Sequence, residues 1–313
     1  MRRFRLPFLI VTALGLLASL GFAAYAAERD GSVTGPRQTL IHDGIAREYI
    51  VRAPRDLTQG HAQLPLVVVL HGGGGNAAVA ESMTGFTRKA AEEGFIVVYP
   101  EGTSRFRDKL LTWNAGHCCG YAIHKRVDDV GFIDALIYKL IAAYPIDRKR
   151  IYATGMSNGG MMVHRLGIEL SNRFAAIAPV VATLFGDEKT PAYPVSAIML
   201  NGELDKSVPN QGGAPGGRFP DAWDGTPTRP ALEQATFWAH ANACTNTPDK
   251  RDEDAFIRWQ YHCPAGRSVE LYLVKDNGHA WPGGQSGSRR GDEPSTALNA
   301  TDVIWTFFKS HAK

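Results

Sequence analysis

The sequence contains no run of five or six like charges, and its net charge of +3 comes from basic and acidic residues scattered along 313 positions. Nucleic-acid-binding tracts concentrate one sign of charge, so this composition does not indicate a nucleic-acid partner. Internal repeats and a second domain boundary are also missing. The balance of apolar, charged and glycine residues is that of an ordinary globular protein, and we expect a single large domain.

The N-terminus has the pattern of a secretory signal peptide. Three arginines in the first five residues precede an apolar stretch from Leu6 to about Ala24, and a small-x-small motif ends at Ala26. This predicts a signal peptide over residues 1–26 and a mature catalytic domain over 27–313, secreted to the periplasm or the exterior without further membrane association. The alternative is an uncleaved anchor, since the stretch approaches the roughly 20 residues that span a bilayer.

Only four cysteines are present, and export to an oxidising compartment would allow them to form disulfides. Three pairings are possible. Cys244 and Cys263 flank a polar stretch and would close a short loop, which leaves Cys118 and Cys119 as neighbours. These two could instead bind a metal ion with His117, but no second cluster at zinc-ligand spacing completes such a site, and we expect no metal.

Short β-branched runs alternate with amphipathic stretches from Arg47 onward. This pattern predicts the α/β class, with a mainly parallel sheet covered by helices on both faces. The predicted strands are 48–52, 64–70, 95–99, 150–154, 174–180, 195–200 and 269–274. The predicted helices are 78–93, 130–143, 159–171, 229–243 and 297–309. Two long loops, 101–128 and 206–230, are expected to be functional, although the second could be a mobile insertion.

The motif Gly155-Met156-Ser157-Asn158-Gly159 follows a predicted strand and precedes a predicted helix. That context is typical of a nucleophile elbow, in which a sharp turn exposes a serine hydroxyl and requires small flanking residues. This context predicts Ser157 as a catalytic nucleophile. Because a serine hydroxyl is a poor nucleophile on its own, it needs a positioned base.

A histidine and an acid follow Ser157 in the order expected for this architecture. His279 lies in the loop after the last predicted strand and is predicted to be the general base. Asp205, beyond the turn at Gly202, is predicted to orient it. Glu203 is the alternative acid.

Backbone donors for a developing oxyanion are predicted next to two of these segments. The run His71-Gly72-Gly73-Gly74-Gly75-Asn76 follows a strand, and its glycines let N–H groups approach a substrate carbonyl. We expect one donor from Gly73 or Gly74 and the other from Asn158. A phosphate-binding loop is the other use of such glycines, but no Gly-Lys-Ser/Thr completes it.

Three further residues lie near these segments. Trp113 and Trp281 follow predicted strands and are expected to form walls of the substrate pocket, although they could be core aromatics. Asp129 precedes an apolar-periodic stretch and is expected to cap that helix.

Taken together, five separated motifs resemble the LpqC-type polyhydroxybutyrate depolymerase and feruloyl esterase family, similar to carbohydrate esterase family 1. The motifs are His71-Gly72 with its glycines, Trp113-Asn114 followed by Cys118-Cys119-Gly120, Asp128-Asp129-Val130-Gly131-Phe132, Gly155 to Gly160, and Gly278-His279-Ala280-Trp281-Pro282-Gly283. The resemblance implies an α/β-hydrolase fold, the same three catalytic residues and a Cys244–Cys263 bridge. Asn201-Gly202-Glu203 departs from the family pattern ahead of the acid.

The expected function is a cofactor-free serine carboxylic ester hydrolase acting through an acyl-enzyme. Its partner would be an ester substrate, either a hydroxyalkanoate oligomer or a hydroxycinnamoyl ester. A serine peptidase on the same fold and an exported, non-catalytic binding protein are the alternatives. Reaction of Ser157 with a fluorophosphonate would discriminate against the last. The sequence does not indicate an oligomeric state.

Overall fold

The computed structural model describes residues 35–54, 63–216, 220–288 and 291–313, all within one compact unit. The predicted signal peptide, residues 1–26, lies outside the described residues. Within the described ranges, no helix combines the length and the apolar character that crossing a bilayer requires.

The strands of the described residues form one sheet with the spatial order β1-β2-β4-β3-β5-β6-β7-β10-β9-β8. The six strands from β4 to β10 in this order are parallel, and two antiparallel strands flank them at each edge. The strands are β1 Arg37–His42, β2 Ile45–Arg52, β3 Leu64–Leu70, β4 Ile96–Pro100, β5 Ile146–Met156, β6 Ala176–Val180, β7 Ser196–Gly202, β8 Asp249–Asp252, β9 Phe256–His262 and β10 Ser268–Val274.

Helices cover both faces of this sheet, which confirms the predicted fold class. One apolar core contains Val67 and Val69 of β3 and packs under α1, α2 and α7, whereas the other contains Leu66 and Val68 and packs under α4, α5 and α6. The helices are α1 Ala77–Thr84, α2 Phe86–Glu93, α3 Gly120–His124, α4 Asp129–Ala143, α5 Asn158–Glu169, α6 Ala231–Ala241 and α7 Ala300–Lys309, with a short 3-10 helix at Pro220–Ala222.

The seven predicted strands correspond to β2–β7 and β10, and the antiparallel edge strands β1, β8 and β9 were not predicted. The reason is their exposure, because every residue of β8 is exposed and β1 alternates exposed with half-buried positions. Strands that bury neither face fully lack the continuous apolar runs of the central strands.

Two local predictions were wrong. The helix predicted over 78–93 is two helices, because Gly85 adopts a left-handed conformation with φ 68° and ends α1. The N-cap of α4 is Asp128, whose carboxylate accepts the Gly131 N–H at 2.9 Å, and not Asp129. Asp129 is fully buried and instead pairs with the Arg47 guanidinium at 2.6 Å.

Both cysteine pairs are bridged in the structure. Cys244 and Cys263 join the end of α6 to the end of β9 with an S–S distance of 2.00 Å. The neighbouring Cys118 and Cys119 form the second disulfide.

Because two histidines are buried, we expect the protein to lose stability in mild acid. Burial lowers the pKa of His71 and of His164 from 6.5 to about 4. In the unfolded chain both side chains titrate near 6.5, so the unfolded state binds more protons than the native state between these values. The free energy of unfolding should therefore fall as the pH is lowered from 6.5 towards 4.

This is measured by urea unfolding across that pH range. His164→Asn should weaken the pH dependence, whereas the same change at the exposed His240 of α6 should preserve it. Identical slopes for wild type and His164→Asn would contradict the prediction.

Candidate active site

Ser157 lies at the sharp turn between β5 and α5. Its backbone adopts φ 55° and ψ −125°, and its N–H donates to the Val180 carbonyl at 2.9 Å. A positive φ is costly for a residue with a side chain and persists only where the surrounding structure enforces it. The turn therefore lifts the serine hydroxyl above the carboxyl edge of the sheet.

The glycines on either side of the turn lie where no side chain fits. A Cβ added at Gly155 would be 2.8 Å from the backbone of Gly159, and one at Gly159 would be 2.6 Å from the Leu70 carbonyl oxygen. Helix α5 thus packs directly against the end of β3, and this close backbone approach is the reason for the glycines in the motif.

The structure brings the side chains of Ser157, His279 and Asp205 together. The His279 Nε2 atom lies 2.8 Å from Ser157 Oγ, and Nδ1 lies 2.7 Å from Asp205 Oδ2. With Nδ1–H donating to the carboxylate, Nε2 is free to accept the serine hydroxyl proton. The Asp205 side chain is 1% exposed and the His279 side chain is 19% exposed, so the carboxylate is shielded from solvent and the imidazole is accessible.

Asp205 is held by its own turn as well as by the imidazole. Its Oδ1 accepts the backbone N–H groups of Ser207 and Val208, each at 2.8 Å. Hydrogen bonds of this kind favour the ionised carboxylate and fix its direction. Glu203, the alternative acid, is exposed and has no hydrogen bond to His279.

The loop that carries His279 is shaped by the buried side chain of Asn277, which the sequence reasoning missed. Its Nδ2 donates to the carbonyls of Gly278 and Ala280, and its Oδ1 accepts the Ser295 N–H at 3.0 Å. One amide therefore closes the loop on both sides of the histidine. An asparagine next to glycine indicates a turn, but its partners depend on the tertiary path.

Of the two glycines proposed as oxyanion donors, Gly74 is already engaged, because its N–H donates to the Leu111 carbonyl at 2.8 Å. Gly73 lies against Asn158, where an added Cβ would be 3.5 Å from the Asn158 Cβ. Asn158 begins α5, so its N–H has no intrahelical partner. Gly73 and Asn158 therefore remain the candidate pair of oxyanion donors.

The buried side chain of His71 holds the run of glycines at residues 72–75, called the glycine loop below. The Gly102 N–H donates to its Nε2 at 2.9 Å, so the proton is on Nδ1, which donates to the Gly72 carbonyl at 2.8 Å. Burial lowers the pKa of this imidazole to about 4, which keeps it neutral and able to accept a hydrogen bond.

A pocket of about 890 Å³ opens over Ser157 and His279, and Gly73 and Asn158 line it too. Residues of both long loops, 101–128 and 206–230, contribute to its wall. The larger apolar side chains come from these loops and are Phe106, Leu110, Tyr121 and Trp223.

Trp113 and Trp281 do not line this pocket, which differs from the expectation. Trp113 is fully buried and its indole N–H donates to the His71 carbonyl at 3.0 Å. Trp281 is 1% exposed and its N–H donates to Thr301. Both tryptophans follow strands near the site, but their rings point into the core.

The wall residue Trp223 is anchored through its neighbour Asp224. Asp224 accepts from His117 at 2.7 Å, and the other ring nitrogen of His117 lies 2.9 Å from Asp187. Burial opposes the charged form of His117, but its hydrogen bonds to both carboxylates outweigh burial and raise its pKa. The imidazole therefore joins three loops beside the pocket.

A model of the family "Esterase PHB depolymerase" matches residues 54–210, half of the chain. The chain belongs to this family. The match covers β3, the glycine loop, the nucleophile turn and Asp205, and it confirms the resemblance found in the sequence.

Two relatives and one solved structure illustrate the likeness. Feruloyl esterase B of Piromyces equi is 30% identical over 248 residues, 77% of this chain and 44% of the relative. Poly(3-hydroxyalkanoate) depolymerase C of Paucimonas lemoignei is 28% identical over 240 residues, 71% of this chain and 56% of the relative. The chain thus spans about half the length of these relatives. An acetyl xylan esterase from Aspergillus awamori superposes with a TM-score of 0.62 at 14% identity, covering 88% of this chain and all of that one, and shares the fold.

From the crowding at the turn we expect responses of different size at two nearby glycines. Gly159→Ala should lower the free energy of unfolding by about 1–3 kcal/mol, because its Cβ would overlap the Leu70 carbonyl. Gly72→Ala should change it by less than about 1 kcal/mol, because the nearest atom to its Cβ is 3.4 Å away. Urea unfolding of both variants tests this, and equal losses would contradict it.

Proposed function

We propose that this protein is an exported serine carboxylic ester hydrolase in which Ser157, His279 and Asp205 act as a catalytic triad. The observation that carries the proposal is the continuous hydrogen-bond chain from Ser157 Oγ through His279 to Asp205, at 2.8 and 2.7 Å. The names of its relatives, an esterase and a depolymerase of polyesters, support ester hydrolysis over peptide cleavage.

In the first half of the reaction, Ser157 Oγ attacks the ester carbonyl while His279 Nε2 takes its proton. The buried carboxylate of Asp205 stabilises the imidazolium that forms. The Gly73 and Asn158 N–H groups would donate to the oxyanion, and loss of one such donor costs about 2.7–4 kcal/mol in known enzymes. His279 then returns the proton to the departing alcohol.

In the second half, water attacks the acyl-enzyme with His279 again as the base, and the acid is released. The 19% exposure of the His279 side chain gives water a route to the imidazole. None of these steps calls for a metal ion or a cofactor.

The pocket wall supports an apolar acyl group and favours an aromatic one. Phe106, Tyr121 and Trp223 line the same cavity as Ser157, and rings of this kind pack well against a planar phenyl group. The cavity volume falls in the usual range for small-molecule sites, roughly 300–1,000 Å³. We therefore propose hydroxycinnamoyl esters as the preferred substrates, with hydroxyalkanoate oligomers as the competing class.

Substrate comparison tests both the activity and the class. The mature protein and Ser157→Ala are assayed on p-nitrophenyl butyrate, methyl ferulate and a hydroxybutyrate oligomer. We expect Ser157→Ala to lose hydrolysis of all three. A preference of tenfold or more for ferulate over the oligomer, about 1.4 kcal/mol in transition-state binding, is expected for the aromatic wall. Undiminished activity of Ser157→Ala would overturn the triad.

The acid is tested separately with its neighbour as a control. Asp205→Asn should lower kcat by about 10⁴-fold, because the amide favours the wrong imidazole tautomer. Glu203→Gln should leave kcat unchanged, because that side chain is exposed. Similar kcat losses in both variants would contradict the assignment of Asp205.

A further inference from the structure

A second carboxylate, that of Asp292, binds the loop of the proposed base at a different point from Asp205. Its Oδ2 accepts the backbone N–H of His279 at 2.6 Å. Asp292 also lines the pocket that opens over Ser157. Asp205 thus contacts the imidazole ring, and Asp292 contacts the main chain that carries the ring.

The residue before His279 is Gly278, and its lack of a side chain leaves room for the Asp292 carboxylate. A Cβ added at Gly278 would be 2.8 Å from the Cγ atom of Asp292. A side chain at position 278 would therefore displace the carboxylate from the His279 N–H. Glycine at this position follows from the close approach of Asp292, which explains a motif residue that the triad alone leaves unexplained.

Asp292 is not needed to attach its own segment to the protein. Three residues further on, the Ser295 N–H donates to Asn277 Oδ1 at 3.0 Å, and the Ser295 carbonyl accepts the Gly283 N–H at 2.7 Å. Ser295 is buried whereas Asp292 is exposed. Removal of the carboxylate should therefore free the His279 backbone while the segment stays in place.

We propose that Asp292 is a positioning residue for His279, holding the main chain of the base so that Nε2 stays directed at Ser157. This rests on the proposed function. Asn277 fixes the carbonyls before and after the histidine, and Asp292 fixes the N–H of the histidine itself. A charged acceptor forms a stronger hydrogen bond to a backbone N–H than a neutral one, so this contact is well suited to a loop at the pocket surface.

The test compares Asp292→Ala and Asp292→Asn with Glu293→Ala, a change at the exposed neighbouring carboxylate. kcat and KM are measured on p-nitrophenyl butyrate, and thermal unfolding is followed in parallel. Asp292→Ala should lower kcat by about 10- to 100-fold with little change in KM, because a small displacement of a catalytic group costs rate and not ground-state binding. Asp292→Asn keeps an oxygen acceptor and should recover most of kcat, and Glu293→Ala should match wild type.

A second route disturbs the contact while keeping the carboxylate. Gly278→Ala should lower kcat as Asp292→Ala does, and the double variant should show no further loss, because both changes break one interaction. Additive losses would overturn the proposal.

Wild-type kcat in Asp292→Ala, or equal losses in Asp292→Ala and Asp292→Asn, would also overturn it. If Ser157→Ala is inactive while Asp292→Ala matches wild type, only this inference fails. If Ser157→Ala keeps its activity, the proposed function itself fails.

Discussion

The contact between helix α5 and the end of strand β3 is the constraint on which the site depends. The backbone of Gly159 lies so close to the Leu70 carbonyl that no methyl group fits between the strand and the helix. Ser157 is placed by this packing, since a residue with φ 55° needs its neighbours to maintain it. The glycine loop follows β3 directly, so the same contact sets the distance between the nucleophile and the proposed oxyanion donors.

The parallel strands extend this constraint across the sheet. β3, β5, β7 and β10 all run in one direction, so the loops after them meet at one edge. The histidine and the acid come from neighbouring strands, and Asn277 and Gly202 pack their loops against each other. Residues separated by 122 positions in the chain are thus joined by short connections from a rigid scaffold.

Much of this arrangement could be predicted because it rests on local rules. The turn at Ser157 needs glycines at fixed spacing, and the central strands need continuous apolar runs, so both leave a signal in the sequence. The edge strand β8, whose residues are all exposed, leaves none. The division of the first predicted helix depends on the backbone conformation of Gly85, and a helical pattern tolerates glycine without revealing that break.

The direction of a side chain was harder to predict than its neighbourhood. Trp113 and Trp281 were placed correctly beside the site, yet their rings turn inward, since whether a loop side chain faces core or cavity depends on its tertiary contacts. Asp292 had no sequence signal, because its partner at His279 is brought to it by the path of the intervening chain. Trp223 had no signal beyond its place in the long loop 206–230, and His117 was considered only as a possible metal ligand beside Cys118 and Cys119.

The side chain of Asn158 connects the proposed oxyanion site to the wall of the pocket. Its Oδ1 accepts the Trp113 N–H at 2.7 Å, and its Nδ2 donates to the Trp113 carbonyl at 3.0 Å. The residue proposed as an oxyanion donor is therefore also hydrogen-bonded to the middle of the loop 101–128, which supplies Phe106, Leu110 and Tyr121 to the pocket wall. A substitution that moves Trp113 would also disturb Asn158, so the shape of the pocket wall and the position of the proposed donor are not independent in this protein.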